Sequence, residues 1–171
     1  MISTTLELDR GALAPRDFVL LRRAIEMSER AVADGERPFG AVIADPNGDI
    51  LVEVYGRGAA LKDLTAHAET SAVRALGGRF DRDFLATCTL YSSTEPCAMC
   101  AGAIYWSNIR RVVFGLSELR LRTLRNVNAA TSALTIGCAD VLATGGHPIT
   151  VIGSILEDEA IRPHLGFWQN L

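Results

Sequence analysis

Thr94-Glu95-Pro96-Cys97-Ala98-Met99-Cys100 decides how this chain is read, together with Thr65-Ala66-His67-Ala68-Glu69 about thirty residues upstream. Two thiols three apart and one imidazole make three soft or borderline ligands. That is the count of a catalytic zinc site, which keeps its fourth tetrahedral position for water, whereas a structural zinc takes a fourth protein ligand. His67, Cys97 and Cys100 are therefore candidate Zn2+ ligands. Glu69, two residues past the histidine, is the candidate catalytic carboxylate for moving the protons of that water. The alternative is a structural knot with Cys88 or Cys138 as fourth ligand. Cys88 lies in an apolar strand and reads more simply as a buried hydrophobe.

The local context supports convergence. Pro96 suits a helix start, and Cys97 and Cys100 share a face once that helix forms. The unpaired N–H groups and positive dipole end of such a helix favour thiolate over thiol. Another helix is expected to begin near Asp63 or Thr65, both good caps, to carry His67 in its first turn, and to end at Gly77-Gly78. In a regular helix residues i and i+2 point apart, so His67 and Glu69 share a metal only at an irregular helix start.

Outward from these motifs, strands and helices alternate. Pro15 to about Gly35 has apolar residues at three- and four-residue spacing, a helix with one buried face. Phe39–Ala44 and Ile50–Tyr55 flank Asp45-Pro46-Asn47-Gly48-Asp49, which is hairpin chemistry. Thr87–Ser92 and Arg111–Gly115 read as further strands, with a helix from Pro96 to about Trp106 between them. Leu119–Leu124 and Ser132–Leu142 are helical candidates, separated by a break at Asn126-Val127-Asn128. Ile149–Ile152 is a short strand. Leu156–Trp168 is helix-like, with a kink expected at Pro163. Such alternation favours an α/β layered sheet with parallel crossovers.

Composition narrows the function classes. The chain has 171 residues, expected to form a single domain, with the core over about 16–120 and a C-terminal extension over 121–171. Hydrophobic residues are 49% and charged residues 22%, ordinary for a soluble globular protein. No apolar run approaches a membrane span, and the N-terminus lacks signal-peptide regions, so the cytoplasm is expected. There, four cysteines serve as thiols or ligands rather than disulfides. A net charge of −3 gives no general pull toward nucleic acid.

His67-Ala68-Glu69 with Pro96-Cys97-Ala98-Met99-Cys100 resembles the cytidine and deoxycytidylate deaminase superfamily. Pro38-Phe39-Gly40-Ala41-Val42 and Ala101-Gly102-Ala103-Ile104-Tyr105-Trp106 extend the resemblance toward its nucleobase and tRNA-adenosine deaminase branch, over about residues 16–120. The resemblance implies a three-layer α/β/α fold around a mixed five-stranded sheet and a hydrolytic aminohydrolase activity. It also implies that Glu69 moves protons between water, a ring nitrogen and departing ammonia, and that backbone N–H groups near Cys97 help hold the intermediate. It further implies a homodimer, for which Ala101–Trp106 is either interface or core.

On substrate, the residues leave alternatives. Relatives often carry an asparagine where this chain has Gly56. Arg110, Arg111, Arg120, Arg122 and Arg125 cluster in sequence as an RNA footprint would, or as a solvated face. Phe39, Ala68, Glu95, Pro96 and Trp106 are the candidate substrate-binding residues, with Phe167 and Trp168 as further aromatic candidates and Asp140 or a tail carboxylate as a reader of an amino group. The expectation is a small nucleobase-like substrate of guanine or cytosine type, without nucleic acid or membrane partners. A tRNA adenosine deaminase and a deaminase-fold binding subunit are the alternatives.

Overall fold

The computed structural model describes residues 13–125 and 134–168. Its helices are α1 (Pro15–Ala33), α2 (Gly58–Leu61), α3 (Ala68–Leu76), α4 (Arg82–Thr87), α5 (Ala98–Ser107), α6 (Glu118–Leu124), α7 (Cys138–Ala143) and α8 (Glu157–Ala160). Its strands are β1 (Gly40–Ala44), β2 (Ile50–Tyr55), β3 (Thr89–Thr94), β4 (Arg111–Leu116) and β5 (Thr150–Ile152). The sheet order is β2-β1-β3-β4-β5. The β1–β2 hairpin and the β1–β3 pair are antiparallel, while β3–β4 and β4–β5 are parallel.

Three layers follow from the two-residue period of the strands. Ala41, Ile43, Leu90 and Val112 face one way, onto Ala68, Ala72 and Leu76 of α3, Ala101 and Ile104 of α5, and Leu142 of α7. Val42, Ala44, Tyr91 and Val113 face the other way, onto Leu20, Leu21, Ala24 and Ile25 of α1 and Ala160 of α8. Every residue of β3, at the centre of the sheet, is buried. The expected α/β/α architecture around a mixed sheet is what forms.

Two contacts lock α1 to the sheet. A Cβ at Gly40 would lie 2.2 Å from the Ala24 carbonyl oxygen and 2.6 Å from Met27 Cβ, so only glycine lets helix and strand approach this closely. Asp17, 3% exposed, accepts from Tyr91 Oη at 2.6 Å and from Arg111 Nη1 at 2.8 Å. Its other oxygen accepts from Arg111 Nη2 and the Ala14 N–H. Burial raises the carboxyl's pKa, but hydrogen bonds from Arg111, Tyr91 and Ala14 outweigh it and hold the value below the ordinary range.

Several expected boundaries shift, each for a local reason. The helix expected from Asp63 or Thr65 starts at Ala68, because the Asp63 carboxylate closes a turn on the Thr65 N–H at 2.8 Å and on its hydroxyl at 2.7 Å. The helix expected from Pro96 starts at Ala98. Thr87 ends α4, a helix capped by Asp81 through the Phe84 N–H at 2.8 Å, and the strand begins at Thr89. Neither α4 nor α2 is long enough to show a period in sequence. In place of the helix expected over Ser132–Leu142, helical structure spans only Cys138–Ala143, while Ser132, Ala133 and the break at Asn126–Asn128 lie outside the described residues. Leu156–Trp168 is not one kinked helix. It divides into α8 and a 3-10 turn, Arg162–His164, that opens on Pro163. No helix among the described residues is long and apolar enough to cross a membrane.

Candidate metal centre and cavity

The two motifs build the same local structure twice. His67 is the N-cap of α3 with φ −68° and ψ 161°, and Cys97 is the N-cap of α5 with φ −67° and ψ 169°. Both side chains leave an extended residue just before a helix, where backbone N–H groups lack intrahelical partners. This corrects the placing of His67 inside a first turn, and it removes the spacing conflict. His67 stands outside the helix while Glu69 is its second residue, so both reach one point.

His67 Nδ1 lies 3.7 Å from Cys97 Sγ and 3.5 Å from Cys100 Sγ, and the two sulfurs are 3.6 Å apart. Tetrahedral zinc, with bonds of about 2.3 Å to sulfur and about 2.0 Å to nitrogen, sets sulfurs about 3.8 Å apart and sulfur and nitrogen about 3.5 Å apart. The donor set therefore fits zinc in both chemistry and spacing. Among the described residues these three form the group able to hold one ion. Cys88 lies elsewhere, its Sγ directed at the Phe84 carbonyl, and Cys138 caps no metal but sends its N–H to Glu95.

Glu69 completes the floor. It is 5% exposed, accepts from Ser92 Oγ of β3 at 3.0 Å, and lies 3.4 Å from Cys100 Sγ. Burial raises its pKa against the opposing pull of its own N–H, His67 and Ser92. The Cys97 thiol is pushed down to about 4, chiefly by the hydrogen bond from Cys100, against desolvation and with help from His67. Cys100 is pushed up by the same bond and by burial. The hydrogen bond to Cys97 raises His67.

Above this floor opens a cavity of about 560 Å3, in the range that holds small molecules. Phe39, Glu95 and Pro96 line it, with His67, Glu69 and Cys97 at its base. Ala68 is fully buried behind the lining. Trp106 does not reach the cavity. It is 76% exposed at the far end of α5, edge-on to Tyr105. Glu95 is engaged by the protein itself, accepting the Cys138 N–H on Oε1 and the Glu118 N–H on Oε2, each at 3.1 Å. It ties the starts of α7 and α6 to the rim. Gly56 lines the wall without a side chain, and Asp140 is not among the lining residues.

The C-terminal wall is aromatic. Phe167 lines the cavity, and Trp168 packs 6.1 Å from Phe39, centroid to centroid. Trp168 Nε1–H donates to His164 Nδ1 at 3.3 Å. An indole only donates, so the imidazole proton sits on Nε2, 3.3 Å from Thr94 Oγ1, at the end of β3. Sequence reasoning missed Leu64, Leu134, Ile136 and Arg37 of the lining, for which no local signal exists. It also grouped Arg125 with its neighbours. The five arginines do not form one face. Arg111 pairs with Asp17, Arg120 with Glu157 and Asp158, Arg122 with Glu118, and Arg110 bonds Asn108, whereas Arg125 lines the cavity.

Residues 16–116 match the cytidine and deoxycytidylate deaminase zinc-binding region. The chain belongs to this family. It is accordingly a zinc-dependent aminohydrolase, and the His67, Cys97 and Cys100 cluster suits the family's metal. The chain is 47% identical over 156 residues, 91% of its own length and 94% of the relative's, to a probable cytosine deaminase of Schizosaccharomyces pombe. It is 41% identical over 104 residues, 61% of this chain and 60% of the relative, to a tRNA-specific adenosine deaminase of Haemophilus influenzae. Its fold matches a protein solved in complex with 8-azaguanine at a TM-score of 0.75, covering 93% of this chain and 87% of that one at 24% identity.

Proposed function

We propose that this protein hydrolytically deaminates a small amino-substituted nucleobase, of cytosine or guanine type, with release of ammonia. The observation that carries the reading is a buried carboxylate, Glu69, beside a three-residue cluster at the floor of a cavity in the small-molecule size range. The long match to a relative named as a probable cytosine deaminase supports it.

His67, Cys97 and Cys100 would hold zinc. Bound there, the ion supplies Lewis acidity that lets water act as a nucleophile near neutral pH. Glu69 takes a proton from the attacking water and delivers it to the ring nitrogen beside the reacting carbon. A carbon–oxygen bond forms, the carbon–nitrogen bond to the amino group breaks, and a second proton passed through Glu69 leaves with ammonia. Ser92 fixes the Glu69 carboxylate from the strand side. Phe39 and Pro96 offer apolar surface to the ring, and burial keeps bulk water from the acid.

The pairing of the arginines with the acids of the tail speaks against an extended RNA footprint. Within the same proposal the enzyme is a homodimer, with exposed Met99 and Trp106 of α5 at the partner face. Sedimentation of the wild type and of Trp106→Ala tests that part.

The decisive experiment measures ammonia release by the zinc-loaded protein from free bases, nucleosides and tRNA. Turnover of cytosine or guanine supports the reading. Turnover of tRNA alone replaces it with the editing alternative. No turnover on any of them, with zinc fully bound, leaves the binding-subunit alternative.

A further inference from the structure

Four carboxylates and two guanidinium groups line the cavity. The carboxylates are already engaged. Glu36 accepts the N–H groups of Ala59 and Ala60, Glu69 the Ser92 hydroxyl, Glu95 two helix-start N–H groups, and Glu118 the Arg122 guanidinium. The guanidinium groups are not. No ion pair among the described residues includes Arg37 or Arg125.

The two differ in preorganisation. Arg37 is exposed, free to turn into solvent. Arg125 is half-buried, its Cζ 4.2 Å from the centre of the Trp168 ring and 5.7 Å from that of Phe39. Cation–π attraction holds the guanidinium against those faces and leaves its N–H groups in the plane of the fork. Its Nε is buried without a hydrogen-bond partner among the described residues. Burial first depresses its pKa, with repulsion from Arg37 and Arg122 and against the attraction of Glu118, which lines the same cavity without forming an ion pair with it. A donor-only group packed on a cavity wall, its Nε without an acceptor among the described residues, calls for one on the ligand.

We propose that Arg125, held by Trp168 and Phe39, reads a carbonyl oxygen on the edge of the substrate base and so selects amino-heterocycles that also carry a carbonyl. This rests on the nucleobase reading above and deepens it. Cytosine and guanine each present a carbonyl besides the amino group. Replacing that carbonyl by a second amino group gives 2,4-diaminopyrimidine and 2,6-diaminopurine, which offer donors to a donor.

The test compares each matched pair, by KM for the member that reacts and by inhibition constant for the member that does not. It uses zinc-loaded wild type, Arg125→Met and Arg125→Lys. The wild type should favour the carbonyl member of its pair about tenfold or more, the worth of a charge-assisted hydrogen bond. Arg125→Met keeps apolar contact with the rings and should collapse that ratio through KM, with kcat changed less than about threefold. Arg125→Lys should restore part of it. If Arg125→Met folds poorly, Arg125→Lys against wild type carries the same comparison, since ammonium lacks the planar fork. An unchanged ratio, or a fall in kcat at constant KM, overturns the proposal. So does a loss confined to nucleoside monophosphates, which would assign Arg125 to phosphate. If the wild type deaminates only tRNA, the nucleobase reading fails first and this inference with it. If the wild type deaminates a base and Arg125→Met behaves identically, only this inference fails.

Discussion

The floor of the cavity and its C-terminal wall are built on opposite plans. The floor takes His67, Glu69, Cys97 and Cys100 from two short motifs, each fixed by a helix start packed under the sheet. The wall takes Phe39, Arg125 and the His164–Trp168 segment from three separate places in the chain, joined by ring contacts and two hydrogen bonds of 3.3 Å. On the proposed function, the floor would carry the chemistry and the wall recognition. Changes in the floor should therefore act on kcat or on metal, and changes in the wall on KM.

The sharpest way to break that division is Glu69→Gln, which keeps the shape but not the proton transfer. Turnover should fall by about 10³-fold or more, with zinc content unchanged by elemental analysis. Retained turnover would remove Glu69 from its role. Next is Cys100→Ser. Loss of a thiolate should leave the purified protein substoichiometric in zinc and activity restored only in part by added metal, read by the same two assays.

Wall substitutions should be milder. Trp168→Leu removes the ring under Arg125 and the donor to His164, so KM should rise about three- to tenfold while kcat holds, by steady-state kinetics. A kcat loss equal to that of Glu69→Gln would erase the distinction between floor and wall.

The smallest effect is in pH dependence. Burial first, and the Arg125 charge second, push His164 down from the ordinary 6.5 to about 3. Between those values the unfolded chain binds the proton and the folded chain does not, so stability is lost as pH falls through that window and is fully present above it. Thermal unfolding of the wild type should drop from about pH 7 to about pH 5 more steeply than that of His164→Gln. Parallel profiles would show that His164 is not held neutral.

The same contrast explains what could be read in advance. The clustering of Cys97 and Cys100 was legible because chelate spacing is local, and that of Glu69 because it stands two residues from His67 in sequence. Trp106 was placed wrongly. The helix Ala98–Ser107 is apolar on nearly every side, so no periodicity distinguishes its cavity end from its solvent end. Arg125 was hidden among four arginines that do face carboxylates or an amide. Glu95 looked like a substrate contact until the starts of α6 and α7 folded onto both of its oxygens.

Sequence by itself determined the candidate cluster of His67, Cys97 and Cys100 with Glu69 beside it, the alternation of elements and hence the layers, because hydrophobic period and chelate spacing are short-range properties. Only the tertiary structure decided that His67 and Cys97 are caps rather than first-turn residues, and which of five arginines lines the cavity. Those outcomes depend on contacts such as Arg125 over Trp168, 43 positions apart in the chain. No local pattern encodes a contact that exists only once the sheet has brought both ends together.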